Sequence, residues 1–324
     1  MGESSPKKSL ILVESWLLRD ILLLYSREGI MRRKKRMPIG AKIIIFAVVL
    51  GCVYGVWLFA GVFVADKVLE QETIWPEVSL EVPFGYVVSI SEIENTRYLE
   101  LVNREFGLAV EPDRSLLVDA WPDLPVRARY ITLHISARNA VGELFDAARA
   151  DNSIGTFFVS SGYRDFNTQQ QLYNSGMDRN FVLPPGHSEH HTGLAVDILA
   201  VDIGQFELAH TAEGRWLTDN AYRFGLILRY PENKQDITGI AYEPWHFRYV
   251  GQPHAWFMWQ NALVLEEYLE FLRQTGGYTI AFDGREYTVL WQTPIDGTLT
   301  IPQNANFSIS SDNTGGFVIT SFTD

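Results

Sequence analysis

Twenty-two consecutive uncharged residues, Ile43 to Val64 (IIIFAVVLGCVYGVWLFAGVFV), limit what this 324-residue chain can be. As a helix rising about 1.5 Å per residue, the run reaches about 33 Å, enough for a hydrocarbon core of about 30 Å. A buried core helix is the competing reading. Against it, Arg32, Arg33, Lys34, Lys35 and Arg36 stand just before the run, and such a cluster marks the cytoplasmic end of a span. A cleaved signal, or a lipoprotein signal ending at Cys52, fits less well, because the apolar run continues twelve residues past the cysteine with no small-residue cleavage site close behind it. The expectation is a single-pass protein of the cell membrane. Residues 1–42 form a cytoplasmic N-terminal segment, 43–64 the transmembrane helix, and the remainder is extracytoplasmic.

Charge divides at the same boundary. Residues 1–64 carry ten Lys/Arg against four Asp/Glu, which leaves seventeen against thirty-five beyond them, a balance of −18. A surface of that sign is a poor match for a phosphate backbone, so no nucleic-acid partner is expected. Cys52 is the one cysteine, which excludes an intrachain disulfide framework.

Beyond the span, residues 65–100 mix glutamates with Pro76, Pro83 and Gly85 and read as a stalk with a short strand around Tyr86–Ile90. A globular domain is expected over 101–275. Val141, Leu144, Phe145 and Ala148 share one face of a helix over 139–150, and Thr156–Ser160 reads as a buried strand that turns off into Ser161-Gly-Tyr-Arg164. A second helix starts at Gln169, a third covers 214–224, and the spacing of Ala255, Met258, Leu263, Tyr268 and Leu272 predicts one long helix over 253–274. Residues 276–324 shift to β-rich runs separated by Gly-Gly and Asp-Gly turn signals, expected as a small β-rich C-terminal region without chemistry of its own.

The chemistry concentrates in Gly186-His-Ser-Glu-His190-His-Thr-Gly193-Leu-Ala-Val-Asp197. Three of the seven histidines fall within five residues and run into a strand that ends on a carboxylate. Imidazole with carboxylate suits zinc. About fifty residues on, Glu243-Pro-Trp-His246 offers one more imidazole with a glutamate three residues before it, and together the two stretches make a candidate hydrolytic site. Alternation in Trp245–Val250 sets His246, Arg248 and Val250 against Trp245, Phe247 and Tyr249, so His246 faces away from the aromatics. Arg164, at a strand-to-loop turn, is placed to grip an anion, because guanidinium holds a carboxylate with two parallel hydrogen bonds.

These motifs, Ser161-Gly-Tyr-Arg164 with Gln169, then Ser188-x-His190-x-x-Gly193-x-Ala195-x-Asp197, then Glu243-Pro-Trp-His246, resemble those of the VanY-type D-alanyl-D-alanine carboxypeptidases, zinc peptidases of the LAS superfamily. The resemblance covers about residues 101–275. It implies an α+β fold, a small antiparallel sheet with helices as in the LAS and hedgehog-like domains. It implies His190, Asp197 and His246 as ligands of Zn2+, Glu243 as catalytic acid/base, and Arg164, Gln169 and Ser188 as substrate contacts, with peptidoglycan stem peptides as the substrate. His187 and His191 fall at variable motif positions and stay outside the expected metal shell. Within the same motifs, an L,D-carboxypeptidase acting on tetrapeptide stems and a non-catalytic zinc-holding module are the alternatives. Retention of both Glu243 and Arg164 argues against the second, since a purely structural zinc needs neither.

Overall fold

Asp197 and His246 come from strands separated by almost fifty residues, and the fold's first task is to lay those strands side by side. A computed structural model of the chain describes residues 75, 78, 80 and 85–323, apart from 109, 152, 304 and 305. The expected transmembrane helix at 43–64 lies outside the described residues, among which no helix is long and apolar enough to cross a membrane. In chain order, β1 (Gly85–Ser89), β2 (Leu117–Asp119) and β3 (Thr132–His134) precede helix α1 (Ile135–Ala150). Then come β4 (Phe157–Ser161), α2 (Phe166–Asn174), β5 (Ala195–Ala200), α3 (Ala212–Asn220), β6 (Leu226–Leu228), a short α4 (Gln235–Thr238) and β7 (His246–Tyr249). Helices α5 (His254–Gln260) and α6 (Leu265–Thr275) lead into β8 (Gly277–Phe282), β9 (Arg285–Gln292), β10 (Thr298–Pro302), β11 (Asn306–Ser311) and β12 (Phe317–Thr323). The class is α+β, as expected, with antiparallel sheets throughout.

The central sheet has the order β4-β5-β7-β6. Its apolar face meets α1, whose Val141, Leu144, Phe145 and Ala148 pack with Val159, Val196, Ile198 and Phe247 in one core. That face fixes the register, because a one-residue slip would carry Val196 and Phe247 out of the core. The opposite face is thereby left for polar side chains. Asp197 pairs with His246 across β5 and β7, and with Ser161 across β4 and β5. Ser161 reaches that face only because the β4–β5 register shifts between Val159 and Ser161. An extra residue at that point reverses the alternation, which is how a bulge re-aims a side chain.

Two expectations change. The long helix over 253–274 is two helices, because Ala262 turns left-handed at φ 52° and the chain restarts at Leu265. The described part of the expected stalk is built into the fold: β1 pairs with β10 from Gly85↔Pro302 to Ser89↔Thr298, and Leu99 and Glu100 are buried. The C-terminal strands, expected as a small β-rich region, pack on the helices that precede them. Tyr278, Val289 and Val318 share a core with Phe257, Tyr268 and Phe271 of α5 and α6, so residues 75–324 fold as one compact unit. Aromatic stacking explains the attachment, with Phe257 and Tyr278 at 4.2 Å between centroids and 18° between planes.

Candidate active site

Each functional side chain is delivered by a local device the sequence encodes. Asp197 and His246 are direct partners in the β5–β7 register. His190 sits on the 3-10 turn Glu189–Thr192, which Gly193 ends at φ 71°. A side chain at 193 would place its Cβ 2.6 Å from Leu117 Cδ2 and 3.1 Å from the backbone nitrogen of His134, so both the torsion and the space demand glycine. His190 Nδ1 lies 2.7 Å from the carbonyl of Gly162. A carbonyl only accepts, so Nδ1 carries the proton and Nε2 presents its lone pair, 3.5 Å from Asp197 Oδ2. Glu243 stands three residues before His246, with its Oε2 3.6 Å from His246 Nδ1.

His190, Asp197 and His246 each offer a ligand atom, and these atoms lie within 4.8 Å of one another. His190 and His246 are buried, and Asp197 is nearly so. The charges around them show what the site can hold. Burial would raise the Asp197 carboxyl, but the imidazoles of His190 and His246 outweigh it and hold it well below the usual carboxylate range. Burial would lower His246, yet the carboxylates of Asp197, Glu189 and Glu243 around its ring push it up to about 10. Burial keeps His190 low. Two buried carboxylates thus draw a positive charge onto an imidazole, and a divalent cation among two imidazoles and a carboxylate supplies that charge directly. The donor set fits zinc with a coordination position to spare.

Arg164 emerges from the turn after β4. Its Nη1 donates to Gln169 Oε1 (2.7 Å) and its Nη2 to Ser161 Oγ (3.3 Å). Gln169 is buried in turn, donating its Nε2 to the carbonyl of Leu183 (2.5 Å). No carboxylate lies within ion-pair distance of Arg164 among the described residues, although burial lowers its pKa and Asp197 and Glu243 act to raise it. Glu243 is mostly buried, and its carboxyl is pushed up to about 8, chiefly by burial, with His246 opposing and Asp197 adding to the rise. Arg164, Gln169, Ser188, Glu243 and the three candidate ligands line one cavity of ≈ 360 Å³.

Neither His187 nor His191 belongs to the cluster of candidate ligands. His187 Nδ1 bonds the carbonyl of Asn103 at 2.7 Å. His191 Nδ1 donates to the carbonyl of Arg164 (2.6 Å) while its Nε2 accepts from the Gly186 amide (3.0 Å), so neither nitrogen is free for a metal. Sequence reasoning missed two features. One is the aromatic wall beside the ligands, where Phe181 stacks on Trp245 and Phe206 meets both rings edge-on. The other is Glu189, fully buried against Arg229 and Arg248. A signal for Glu189 was present: Arg248 shares the inward face with His246, and a buried guanidinium requires a carboxylate.

This geometry has known relatives. The family model for VanY, D-alanyl-D-alanine carboxypeptidase, matches residues 130–252, a stretch that holds every residue named above for the site. The putative carboxypeptidase YodJ of Bacillus subtilis (strain 168) is 39% identical over 193 residues, covering 54% of this chain and 68% of that protein. The chain belongs to the VanY family. Among curated VanY relatives, the D-alanyl-D-alanine carboxypeptidase of Enterococcus faecium is 39% identical over 171 residues, which is 52% of this chain. The matched stretch spans 55% of that enzyme's own length. Among solved structures, the vancomycin resistance D,D-dipeptidase VanXYg in complex with a D-Ala-D-Ala phosphinate analog aligns with a TM-score of 0.62 at 30% identity, covering 74% of this VanY-family chain and 98% of its own.

Proposed function

We propose that this chain is a membrane-anchored zinc D,D-carboxypeptidase that removes the terminal D-alanine from peptidoglycan stem peptides outside the cytoplasmic membrane. The observation that carries the reading is Arg164: a half-buried guanidinium without a carboxylate partner among the described residues, facing the same cavity as His190, Asp197, Glu243 and His246. A cation left unpaired in a cavity is costly unless an anion arrives there. The α-carboxylate at a peptide's end supplies that anion, which is the chemical signature distinguishing a carboxypeptidase substrate from an internal bond.

The residues then divide the work. Arg164 binds the terminal carboxylate, and Gln169 holds the guanidinium plane through one of its nitrogens. Ser188 lines the cavity beside the ligands as a further contact. His190, Asp197 and His246 would hold zinc, which when bound supplies a Lewis acid and an acidified water at neutral pH. Glu243 takes a proton from the attacking water and delivers it to the leaving amine. Burial suits it to both halves of that task, because a carboxyl raised towards neutrality holds and releases protons near working pH. The aromatic wall of Phe181, Phe206 and Trp245 keeps one side of the cavity apolar.

The relatives named above support the substrate class, and the 22-residue apolar run with its basic flank supports the anchor. Incubating the zinc-loaded full chain in detergent with pentapeptide and tetrapeptide stems, and weighing the products, tests the reading. Loss of one D-alanine from the pentapeptide is expected. Cleavage of the tetrapeptide alone would move the assignment to an L,D-carboxypeptidase, and cleavage of neither to a binding module.

A further inference from the structure

Four charged side chains, three of them fully buried and Glu266 partly so, cluster at the one ring nitrogen of His246 that does not face Asp197. Glu189 Oε1 accepts from Arg229 Nε (2.7 Å) and from Arg248 Nη1 (2.9 Å), and none of the three side chains is exposed. Arg229 turns its other two nitrogens onto both oxygens of Glu266 on α6, at 2.8 and 2.7 Å. Arg248 Nη2 donates to the carbonyls of Tyr98 (3.1 Å) and Glu100 (3.0 Å). Two carboxylates balance two guanidinium groups, so the assembly is neutral as a whole. It ties together the turn that carries His190, the strand that carries His246, the segment at 98–100 and helix α6.

Burying four charges is a poor route to stability, since apolar side chains of similar volume often do as well or better. The arrangement does something apolar side chains cannot. Glu189 Oε2 has no hydrogen-bond partner among the described residues, and neither has His246 Nε2; the two atoms face each other at 3.5 Å. We propose that Glu189 is a positioning residue for His246. It accepts the Nε2 proton, which leaves Nδ1 as the unprotonated nitrogen on the side of Asp197, and the two arginines with Glu266 hold Glu189 in place to do so. A carboxylate on the far nitrogen of a liganding imidazole fixes its tautomer and ring orientation and raises its basicity. The inference rests on the reading of His246 as a metal ligand.

The substitution Glu189→Gln keeps the shape and changes the chemistry. The single amide oxygen is claimed by the arginines, which turns the NH2 group towards Nε2 and favours the opposite tautomer. It also leaves one positive charge unbalanced, so a second variant, Glu189→Gln with Arg248→Met, restores neutrality. The measurement is zinc affinity of the full chain by chelator competition, alongside thermal melting. Affinity is expected to fall 10- to 100-fold in both variants, on the usual scale for such outer partners, while the double variant melts near wild type. Folded variants that bind zinc as tightly as wild type would overturn the inference. A wild-type chain that binds no zinc would overturn the metal reading, and this inference with it. Should neither variant fold, long-range proton–nitrogen spectra of the zinc-loaded wild-type chain, labelled at histidine, decide. A protonated Nε2 on His246 is expected, and a protonated Nδ1 refutes the role of Glu189.

Discussion

If Arg164 exists to meet a terminal carboxylate, removing either partner should cost the same, and removing both should cost little more than removing one. The guanidinium is half-buried, fixed by Gln169 and Ser161, and unopposed by a carboxylate within ion-pair distance among the described residues. A substrate carboxylate docked there forms a desolvated, charge-assisted pair. Truncating one partner of such a pair costs about 2–5 kcal/mol, because the other charge is left buried. At about 1.4 kcal/mol per factor of ten, kcat/KM should drop roughly 30- to 5000-fold for Arg164→Ala on a free-acid pentapeptide. Wild type acting on the same peptide capped as its C-terminal amide should show a drop in the same range. The variant acting on the amide should lose little further, so the coupling in the double cycle nearly equals either single loss. Melting temperature serves as the folding control. Comparable turnover of acid and amide by wild type, or additive losses in the cycle, would refute the anchor and shift the reading towards cleavage of internal bonds.

Other perturbations separate the remaining roles. Glu243→Gln keeps the side chain's size and removes the base, so zinc should stay bound while kcat falls about 10²-fold or more; loss of stoichiometric zinc would make Glu243 a ligand instead. Gly193→Ala should destabilise by more than about 1 kcal/mol, since it combines a left-handed torsion with backbone crowding, and a denaturant melt indistinguishable from wild type would contradict this. Burial pushes His254 down to about 3, and it sits between Tyr268 Oη (2.6 Å) and Thr320 Oγ1 (2.9 Å). Below its ordinary value of 6.5 the unfolded chain binds a proton that the fold refuses, so stability should fall with falling pH by about 1.4 kcal/mol per unit from this group. Denaturant melts between pH 4 and 6.5 should show that much less slope in His254→Gln. An epitope placed after Asp324 should be cleaved by protease on intact cells, and a protected epitope would refute the outward-facing topology.

What could be read from the chain without its fold was what neighbouring residues decide. The 3.6-residue spacing in 139–150 is a property of one helix, and the alternation that set His246 against Phe247 is a property of one strand, so both survive intact in the structure. Where a pairing over distance decides, the local pattern fails. Nothing near Gly85–Ser89 announces that its partner is Thr298–Pro302, and a short polar-flanked strand without a visible partner reads as stalk. Nothing in the regular spacing from Ala255 to Leu272 shows that Ala262 turns left-handed, because the apolar stripe continues on both sides of the break.

Glu189 marks the boundary between these cases. Placed between Ser188 and His190, it occupies a motif position where side-chain identity looks free, and an exposed glutamate is the ordinary expectation there. The correct inference starts from Arg248 instead. Alternation had already put it on the inward face with His246, and a guanidinium on an inward face needs an anion or carbonyls to be tolerated. The structure supplies both, the carboxylate of Glu189 and the carbonyls of Tyr98 and Glu100. Following a misplaced charge to its partner therefore leads from a strand pattern to a residue beside the site that no spacing rule singles out. The same argument runs for Arg164, with the opposite outcome: its carboxylate is missing from the described chain, which is why the substrate is expected to bring it.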